Sequence, residues 1–566
     1  MWATLALVHL VLLAALFFWL HAQTRPVAMH DLELAAGEKL RCVSYAPFHL
    51  PGQTPFDKKL LIPRAQIEAD LTALSSITGC VRIYAIDNGL DQVPDVARGL
   101  GMKVLLGAWI GYERDKNAAQ LQRAIALANE YPDTVRALIV GNEVLLRRER
   151  TADELRALLS EARSQTAVPV TYADVWEFWM KNVELADAVD FVTVHILPFW
   201  EDMPVDIDVA LAHVAETRTK VEEAFAGKPL LIGETGWPSA GLQREASLPS
   251  RVNQARYIRE FVHRAHAEDW DYNLIEAVDQ PWKRSLEGTV GGYWGMLDAE
   301  RLQPKFPLAG PVAERDGYES ALLGAAIGAG IAFVLAILAW IYFLFRNARH
   351  SRESGNPAPS LVGGFADDLL RIVAATLVGA SAGGVAILHW EHALVAYASF
   401  TDWVALGAVA VAATLAAVMV TLWSGAALAP ANEAWRRLRA NKWRAGAADV
   451  LAALRGFLLF ALAVAALLLL VTPRYRDFPT LLYLTPAAIY GVVGWFGGSL
   501  SRAESLCAAI AAACVLGRWL PESNNPQALG WLVVGLALTL PALARRQIEP
   551  QQGQQGEQTA GGGIVG

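Results

Sequence analysis

Two glutamates stand out because each follows a short apolar run and is embedded in small or aromatic residues. Glu143 lies in the segment V-G-N-E-V, and Glu234 lies in I-G-E-T-G-W-P-S. Helix N-caps prefer Asp, Asn, Ser or Thr to Glu, so a capping role explains this pair poorly. Two carboxylates that meet in a fold can divide the work of a proton donor and a second carboxylate, as cleavage of a glycosidic bond requires. The pair therefore predicts chemistry of that class.

The elements that must position these carboxylates are β-rich runs that alternate with helical stretches. Eight runs read as strands, at 41–46, 80–85, 102–109, 135–142, 168–173, 190–196, 229–234 and 272–278. Helix signals lie between them, for example Pro63 at the start and Gly79 at the end of one apolar-periodic stretch. Eight strands and helices over about 270 residues predict a (β/α)8 TIM barrel. A doubly wound open sheet is the alternative, which the strand count and the length disfavour.

Polar and aromatic residues fall where the predicted strands end. They are Tyr45, Tyr84, Trp109, Asn142, Glu143, His195, Glu234, Asp279 and Trp282. Because the chemistry of such barrels lies at the C-terminal ends of the strands, these positions form the predicted site.

These motifs resemble family 17 of the glycoside hydrolases, the β-1,3-glucanase and β-glucanosyltransferase family. The segment G-E-T-G-W-P-S is the most specific match, the run 81–84 is similar to the second strand of the family, and the likeness extends over residues 40–305. The resemblance implies that Glu143 is the acid/base and Glu234 the nucleophile. In a retaining enzyme the two carboxyl groups lie about 5 to 5.5 Å apart.

The resemblance also implies a set of substrate-binding residues and no metal or cofactor. The set is Tyr45, Arg82, Tyr84, Asn142, His195, Trp237, Trp282, Lys283 and Glu287. Asn142 would contact the sugar 2-hydroxyl near the nucleophile, and Trp237 would form a stacking wall. Alternatives stay open: Arg82 could hold the barrel floor in a buried ion pair, the two tryptophans could be core residues, and Lys283 could pair with Glu287.

Two departures from the plant members of the family narrow the resemblance. His195, in V-H-I-L-P-F-W, stands where those members usually have a tyrosine, and D-Q-P-W-K replaces their E-N-x-K pattern. Such departures are typical of bacterial membrane-bound members that modify β-1,3/1,6-glucans. The resemblance therefore implies an enzyme that hydrolyses or transfers β-1,3-linked glucosyl chains. A generous supply of rings near the strand ends favours transfer: Trp109, Trp176, Trp179, Phe199, Trp200, Trp237 and Trp282.

The composition adds a membrane region, because 54% of the residues are hydrophobic and only 18% are charged. Eight spans are predicted, at 3–20, 320–344, 367–389, 403–427, 448–471, 479–499, 503–520 and 528–544. The predicted organisation is an N-terminal anchor (1–22), the barrel (38–310), a membrane domain of about seven helices (318–545) and a disordered tail (546–566).

Basic residues gather in alternate connections between the spans. One side carries Arg346, Arg349, Arg352, Arg436, Arg437, Arg439, Lys442, Arg444, Arg502, Arg545 and Arg546, whereas the other carries Arg474, Arg476 and Arg518. The positive-inside rule makes the richer side cytoplasmic. Both termini are then inside, and the barrel is on the periplasmic or extracellular side of the cell membrane. The expected partners are a β-glucan, membrane lipid and a glucan synthase, and the net charge of −8 gives no support for nucleic acid.

Three competing functions are weighed against the enzyme. A nucleotide-sugar-dependent glucan synthase would need a Q-x-x-R-W motif, which the sequence lacks. A non-catalytic glucan-binding scaffold would not need a paired acid and nucleophile. A transporter would need substrate residues in the spans, where none are evident.

Cysteine and glycine patterns each leave two interpretations open. Cys42 and Cys80 begin neighbouring strands and would form a disulfide outside the cytoplasm, but two buried thiols are the favoured interpretation. Glycine pairs spaced by four, at 324/328, 379/383 and 494/498, would let helices approach closely. Ordinary small-residue content is favoured there.

Overall fold

A closed barrel of eight parallel strands in sequence order is the core of the fold. The computed structural model describes residues 1–34, 37–354, 365–426, 442–495 and 500–545. The strands are β1 (Val43–Ser44), β2 (Cys80–Ile83), β3 (Lys103–Ala108), β4 (Val135–Asn142), β5 (Val170–Val175), β6 (Val192–His195), β7 (Leu230–Thr235) and β8 (Asp271–Leu274). Strand β1 pairs with both β2 and β8, which closes the barrel. The predicted TIM barrel is confirmed, and the open sheet is excluded.

Helices follow the strands and form the outer layer. They are α2 (Arg64–Ser75), α3 (Val93–Gly99), α4 (Arg114–Glu130), α5 (Ala152–Gln165), α6 (Trp176–Lys181), α7 (Ile207–Ala224), α8 (Arg251–Ala267) and α9 (Arg284–Glu287). Short 3-10 turns lie at Leu90–Gln92, Val183–Ala188, Pro281–Lys283 and Thr289–Gly292. Local signals explain the helix starts: Thr151 and Glu154 form a capping box at α5, and Asp206 caps α7.

Side chains alternate between the inside of the barrel and the strand–helix layer, as the period of a strand requires. One small cluster takes alternate positions of the strands and fills the barrel: Cys42, Cys80, Leu105, Ala137, Ile139, Ala173 and Leu231. Cys42 and Cys80 are joined by a disulfide within this cluster. The favoured interpretation of two thiols is therefore wrong, because the pairing of β1 with β2 brings the two Cα atoms to 4.4 Å.

Long apolar helices form the rest of the molecule. Helix α1 (Trp2–Gln23) precedes the barrel, and the described residues after it form seven helices: α10 (Glu319–Ser354), α11 (Phe365–Ala396), α12 (Phe400–Ala426), α13 (Lys442–Val471), α14 (Thr480–Val493), α15 (Arg502–Trp519) and α16 (Pro526–Arg545). Helix α1 joins this bundle, since His9 Nδ1 lies 2.6 Å from Ser381 Oγ in α11. Seven helices in the described residues are long and apolar enough to cross a membrane. The predicted tail, 546–566, lies outside the described residues.

Helix α14 differs from its predicted span at 479–499. It has 14 residues, so it is about 21 Å long, whereas the hydrocarbon core of a bilayer is about 30 Å thick. Most of its side chains are buried, among them Tyr483, Ile489 and Tyr490. Its apolar character therefore reflects packing inside the bundle as much as contact with lipid.

Two of the glycine pairs lie where α10 and α11 cross. A Cβ atom at Gly328 would come within 2.1 Å of the Gly379 carbonyl oxygen, and one at Gly383 would come equally close to the oxygen of Gly324. The preference for ordinary small-residue content is therefore wrong at these two pairs, because the backbones approach too closely for any side chain. Gly498 of the third pair lies outside the described residues.

Candidate active site

Glu143 lies at the end of β4, where the backbone leaves the strand in an unusual conformation. Gly141 has φ +84° and Glu143 has φ +53°, and the Glu143 amide donates to the Ala173 carbonyl oxygen of β5 (2.8 Å). A left-handed conformation costs a residue other than glycine on the order of 1–2 kcal/mol, and such strain tends to gather at functional sites. The side chain is 23% exposed.

Glu234 lies near the end of β7, three strands from β4, and it is buried more deeply, with 6% of its side chain exposed. Its Oε1 accepts a hydrogen bond from Tyr84 Oη (2.9 Å) and one from Arg82 Nη1 (3.3 Å). A phenol and a guanidinium that both donate to one oxygen hold this side chain in a fixed position. Tyr84 Oη also lies 2.8 Å from Ser44 Oγ of β1.

His195, at the end of β6, stands between the two glutamates. Its Nδ1 lies 3.1 Å from Glu143 Oε1, and its Nε2 lies 3.6 Å from Glu234 Oε1. Arg82 Nη1 is 3.3 Å from the same Nε2, and because a guanidinium can only donate, Nε2 is the acceptor. The ring proton is therefore assigned to Nδ1, which donates to Glu143. Ligand atoms of Glu143, His195 and Glu234 all lie within 4.8 Å of one another.

Arg82 is the buried centre of this network, with 1% exposure. Besides Glu234 it contacts the Gly233 carbonyl oxygen through Nη1 (2.7 Å) and Asn142 Oδ1 through Nη2 (2.5 Å). One guanidinium thus ties together the ends of β4, β6 and β7. Arg82 therefore forms a buried ion pair with the predicted nucleophile at the C-terminal ends of the strands, rather than on the barrel floor.

The pKa of Glu143 reflects competing influences. Burial raises it, whereas the hydrogen bond from His195 and the charges of Arg147 and Arg82 lower it, and the net pKa lies below the usual value. Glu143 is therefore easily ionised in the free site. Protonation of a leaving group requires a protonated Glu143, and this form is favoured at pH values below its pKa.

The cluster of Glu143, His195 and Glu234 also has the ligand types of a metal site. Arg82 disfavours that interpretation, because its guanidinium lies against Glu234 at 3.3 Å and would repel a cation there. The arrangement instead fits two carboxylates organised by hydrogen bonds.

The chain after β8 adds a buried acid that the sequence analysis did not single out. Glu276 is 1% exposed, and Lys283 Nζ contacts both of its carboxylate oxygens, at 3.0 and 2.9 Å. Burial, opposed by Lys283, raises the pKa of Glu276 to about 7. Lys283 therefore pairs with Glu276 rather than with Glu287. The sequence analysis included Glu276 in the predicted strand 272–278. The one sequence signal for a buried acid was its position inside an apolar run.

Glu287 lies in α9, close to the same centre. Burial raises its pKa; Lys283 lowers it, and the charges of Glu143 and Glu234 raise it further. These mutual influences place Glu287 within electrostatic range of both predicted catalytic residues.

Two residues of the predicted site are buried away from it. Tyr45 is fully buried, and its hydroxyl donates to Asp70 of α2 (2.8 Å), because Ser44 takes the inward position of β1 and Tyr45 then points outward. Trp237 is also fully buried, packs on Phe199 and donates through Nε1 to the Leu248 carbonyl oxygen. Neither ring offers a face to a sugar, so these two predictions are corrected.

The other predicted rings divide between core and surface. Trp179 and Phe199 are buried in the barrel core. Trp282 is half-buried, lies edge-on to Phe56 at 5.5 Å, and donates through Nε1 to Gln280 Oε1. Trp109 is 38% exposed, and the Arg147 guanidinium lies 4.2 Å from its ring centre.

Comparison with known proteins gives one family. The model of the BtgE/BtgC glycoside hydrolase domain matches residues 42–295. A Saccharomyces cerevisiae glucan 1,3-beta-glucosidase is 28% identical over 41% of this chain and 80% of its own length. The probable beta-glucosidase btgE of Aspergillus flavus is also 28% identical, over 38% of this chain and 36% of that protein. This chain thus spans about a third of the latter relative.

Among solved structures, an active-site mutant of Rhizomucor miehei beta-1,3-glucanosyltransferase in complex with laminaritriose is 26% identical. The match covers 49% of this chain and 98% of that one, with a TM-score of 0.42. The family match includes all eight strands and both glutamates, in agreement with the resemblance that the motifs predicted. The barrel of this chain is therefore similar to the BtgE/BtgC glycoside hydrolase domain.

Proposed function

We propose that the barrel cleaves β-1,3-glucosidic bonds of a β-glucan with retention of configuration and passes the glucosyl chain to water or to another sugar. The observation that carries the proposal is the approach of Glu143 and Glu234 at the mouth of the barrel. A carboxylate oxygen of one lies within 4.8 Å of a carboxylate oxygen of the other. This spacing fits the about 5 to 5.5 Å of retaining enzymes better than the about 6.5 to 9.5 Å of inverting ones.

The environments of the two carboxylates support different roles. Glu234 is the more buried and accepts from Tyr84 and Arg82, which suits a nucleophile that must stay ionised. Glu143 is the more exposed, which suits a residue that exchanges protons with a leaving group and with water. Asn142 presents its amide beside them, with its oxygen held by Arg82, and we assign it to the sugar 2-hydroxyl.

The likeness to glucan 1,3-beta-glucosidases supports β-1,3-glucan as the substrate class. We further propose that the chain lies in the cell membrane with the barrel outside the cytoplasm, near a membrane-bound glucan synthase that supplies its substrate. The seven apolar helices and the disulfide support this placement, since disulfides persist in oxidising compartments.

Replacement of each carboxylate by its amide tests the proposal. In Glu234→Gln the covalent intermediate cannot form, and in Glu143→Gln the leaving group is not protonated, so we expect turnover of β-1,3-gluco-oligosaccharides to fall by about 10²-fold to 10⁴-fold or more. Products of the purified, folded proteins are measured by mass spectrometry. Glu216→Gln on the outer face of α7, with a side chain 69% exposed, is the matched control and should retain full activity.

The same measurement separates the competing functions. A wild-type protein that binds oligosaccharides without releasing products would be the non-catalytic scaffold. Products longer than the starting chain, with a new β-1,3 or β-1,6 linkage, would show transfer, which we expect at high substrate concentration. Shorter products alone, over a range of concentrations, would leave hydrolysis.

A further inference from the structure

The helical region contacts the barrel at the end that carries the glutamates. Arg284 Nη1, after β8, donates to the Val395 carbonyl oxygen at the end of α11 (2.7 Å). After β7, the Gln243 amide donates to Gln527 Oε1 at the start of α16 (3.0 Å), and Leu242 packs into the core of the helical bundle. The membrane-region helices therefore border the catalytic mouth rather than the opposite end of the barrel.

The loop between α13 and α14, residues 472–479, contacts the barrel at this end. Arg474 Nη2 donates to the Trp200 carbonyl oxygen after β6 (3.0 Å), and its guanidinium lies 5.3 Å from the Trp200 ring centre. The ring of Tyr475 lies 6.4 Å from the same ring, at 50° to it. The loop thus continues the wall that the β6 connection begins.

The same loop also contacts the connection after β8. A Cβ atom at Gly288 would come within 2.4 Å of the Tyr475 carbonyl oxygen, and Thr289 Oγ1 donates to Asp477. Gly288 directly follows Glu287, whose pKa is influenced by Glu143 and Glu234. The residue that contacts Tyr475 is therefore the direct neighbour of Glu287, which lies within electrostatic range of Glu143 and Glu234.

Tyr475 is the ring on this wall that has room for a sugar. The guanidinium groups of Arg244 and Arg474 lie over the Trp200 ring at 5.5 and 5.3 Å, and Trp294 meets it edge-on. Trp200 is thereby engaged, whereas Tyr475 is 46% exposed. A tyrosine combines a flat apolar face with a polar tip, which suits the alternating CH and OH groups of a glucose ring.

We propose that Tyr475 forms a glucose-binding subsite that the membrane region contributes to the cleft, for a unit of the β-glucan chain remote from the bond that is cleaved. The inference rests on the proposed function. It gives the helical region a role in substrate selection: long chains contact Tyr475, whereas short ones do not reach it. Arg474 is a positioning residue, which holds the loop against Trp200.

The experiment compares kcat/KM for a β-1,3-linked glucose hexamer and for a trimer in the full-length protein. In Tyr475→Ala we expect the ratio of hexamer to trimer to fall about fivefold to tenfold, which corresponds to one stacked ring. Tyr475→Phe keeps the ring face and should keep the ratio. Arg476→Ala, in the same loop, removes an exposed side chain that donates to Thr472 Oγ1 of that loop, and it should match the wild type.

The outcomes separate this inference from the proposed function. An unchanged ratio in Tyr475→Ala, or an equal loss for both substrates, would overturn the subsite. Activity of the wild type in the same assay would still support the proposed function. A fall in Arg476→Ala as large as that in Tyr475→Ala would also overturn it, because a general disturbance of the loop would then explain both. An inactive wild type would instead count against the proposed function.

Discussion

At the residue scale, His195 is the group that connects the two carboxylates. It donates to Glu143 through Nδ1 and accepts from Arg82 through Nε2, and it is fully buried. A tyrosine at this position, as in the plant members that the sequence resembles, could not contact both sides through two ring nitrogens. The histidine therefore links the ionisation of Glu143 to the charge of Arg82.

Removal of His195 should change the pH dependence of the reaction. After burial, which raises the pKa of Glu143, the hydrogen bond from His195 is the largest cause that lowers it. His195→Leu removes that bond, so the pKa of Glu143 rises. Since the acid must be protonated in the first step, activity is lost as pH rises through this pKa. We expect the alkaline limb of the kcat/KM profile to move to higher pH.

The turnover rate of His195→Leu should also fall, by about 10-fold to 100-fold, because Glu143 loses its orienting partner. His213→Leu is the matched control: it breaks a histidine–glutamate pair with Glu201 outside the carboxylate centre, and it should leave the alkaline limb in place. An alkaline limb that does not move in His195→Leu would refute the assigned coupling.

At the element scale, the disulfide ties the first two strands of the barrel together. Cys42 and Cys80 are 38 positions apart in the sequence, and the whole of α2 lies between them. Strand β1 has only two residues in its regular ladder, so few backbone hydrogen bonds hold it. The cross-link therefore supports the weakest strand of the closed sheet.

Loss of this cross-link should lower the stability of the barrel. Closure of a loop of this length contributes about 2–4 kcal/mol, so Cys42→Ala/Cys80→Ala should lower the Tm of the barrel by about 5 to 15 °C. Thermal unfolding of the purified protein in detergent measures it. The control is Cys507→Ala/Cys514→Ala, since both thiols are free and lie in α15. Equal Tm values for the two double variants would contradict a stabilising role.

At the scale of the whole molecule, the barrel contacts one set of helix ends. The contacts come from the end of α11, the α13–α14 loop and the start of α16. Among the described basic residues of the opposite connections, Lys442 and Arg444 lie at the start of α13, and Arg545 lies at the end of α16. The three arginines on the barrel side have protein partners: Arg474 contacts Trp200, Arg476 contacts Thr472 and Arg518 pairs with Glu522.

This arrangement predicts the result of reporter fusions. A reporter that is active only outside the cytoplasm should be active when fused after residue 310 and silent when fused near Arg439, which lies outside the described residues. Measurement of both fusion proteins in isolated membranes serves as the control for equal expression. The reverse pattern would overturn the placement of the barrel outside the cytoplasm.

Local sequence determined the eight strands, because each is a short apolar run between turn and helix signals, and it also determined which glutamates end β4 and β7. The residue type of Glu143 does not predict its left-handed backbone conformation. Gly141 and Asn142, which precede it, were part of the motif. The pattern of runs was enough for the barrel, since strand count and length exclude most other folds.

Only the tertiary structure decided which side chains face the cleft. Tyr45 and Trp237 fall at strand ends as Glu143 and Glu234 do, but Tyr45 packs against Asp70 and Trp237 against Phe199, so both side chains lie in the core. Glu276 became a buried partner of Lys283 through a contact that periodicity does not encode. Tyr475, between two helices of the bundle, contacts Gly288 after β8. Such contacts join positions far apart in the chain, and their geometry arises from the packing of whole elements rather than from any local pattern.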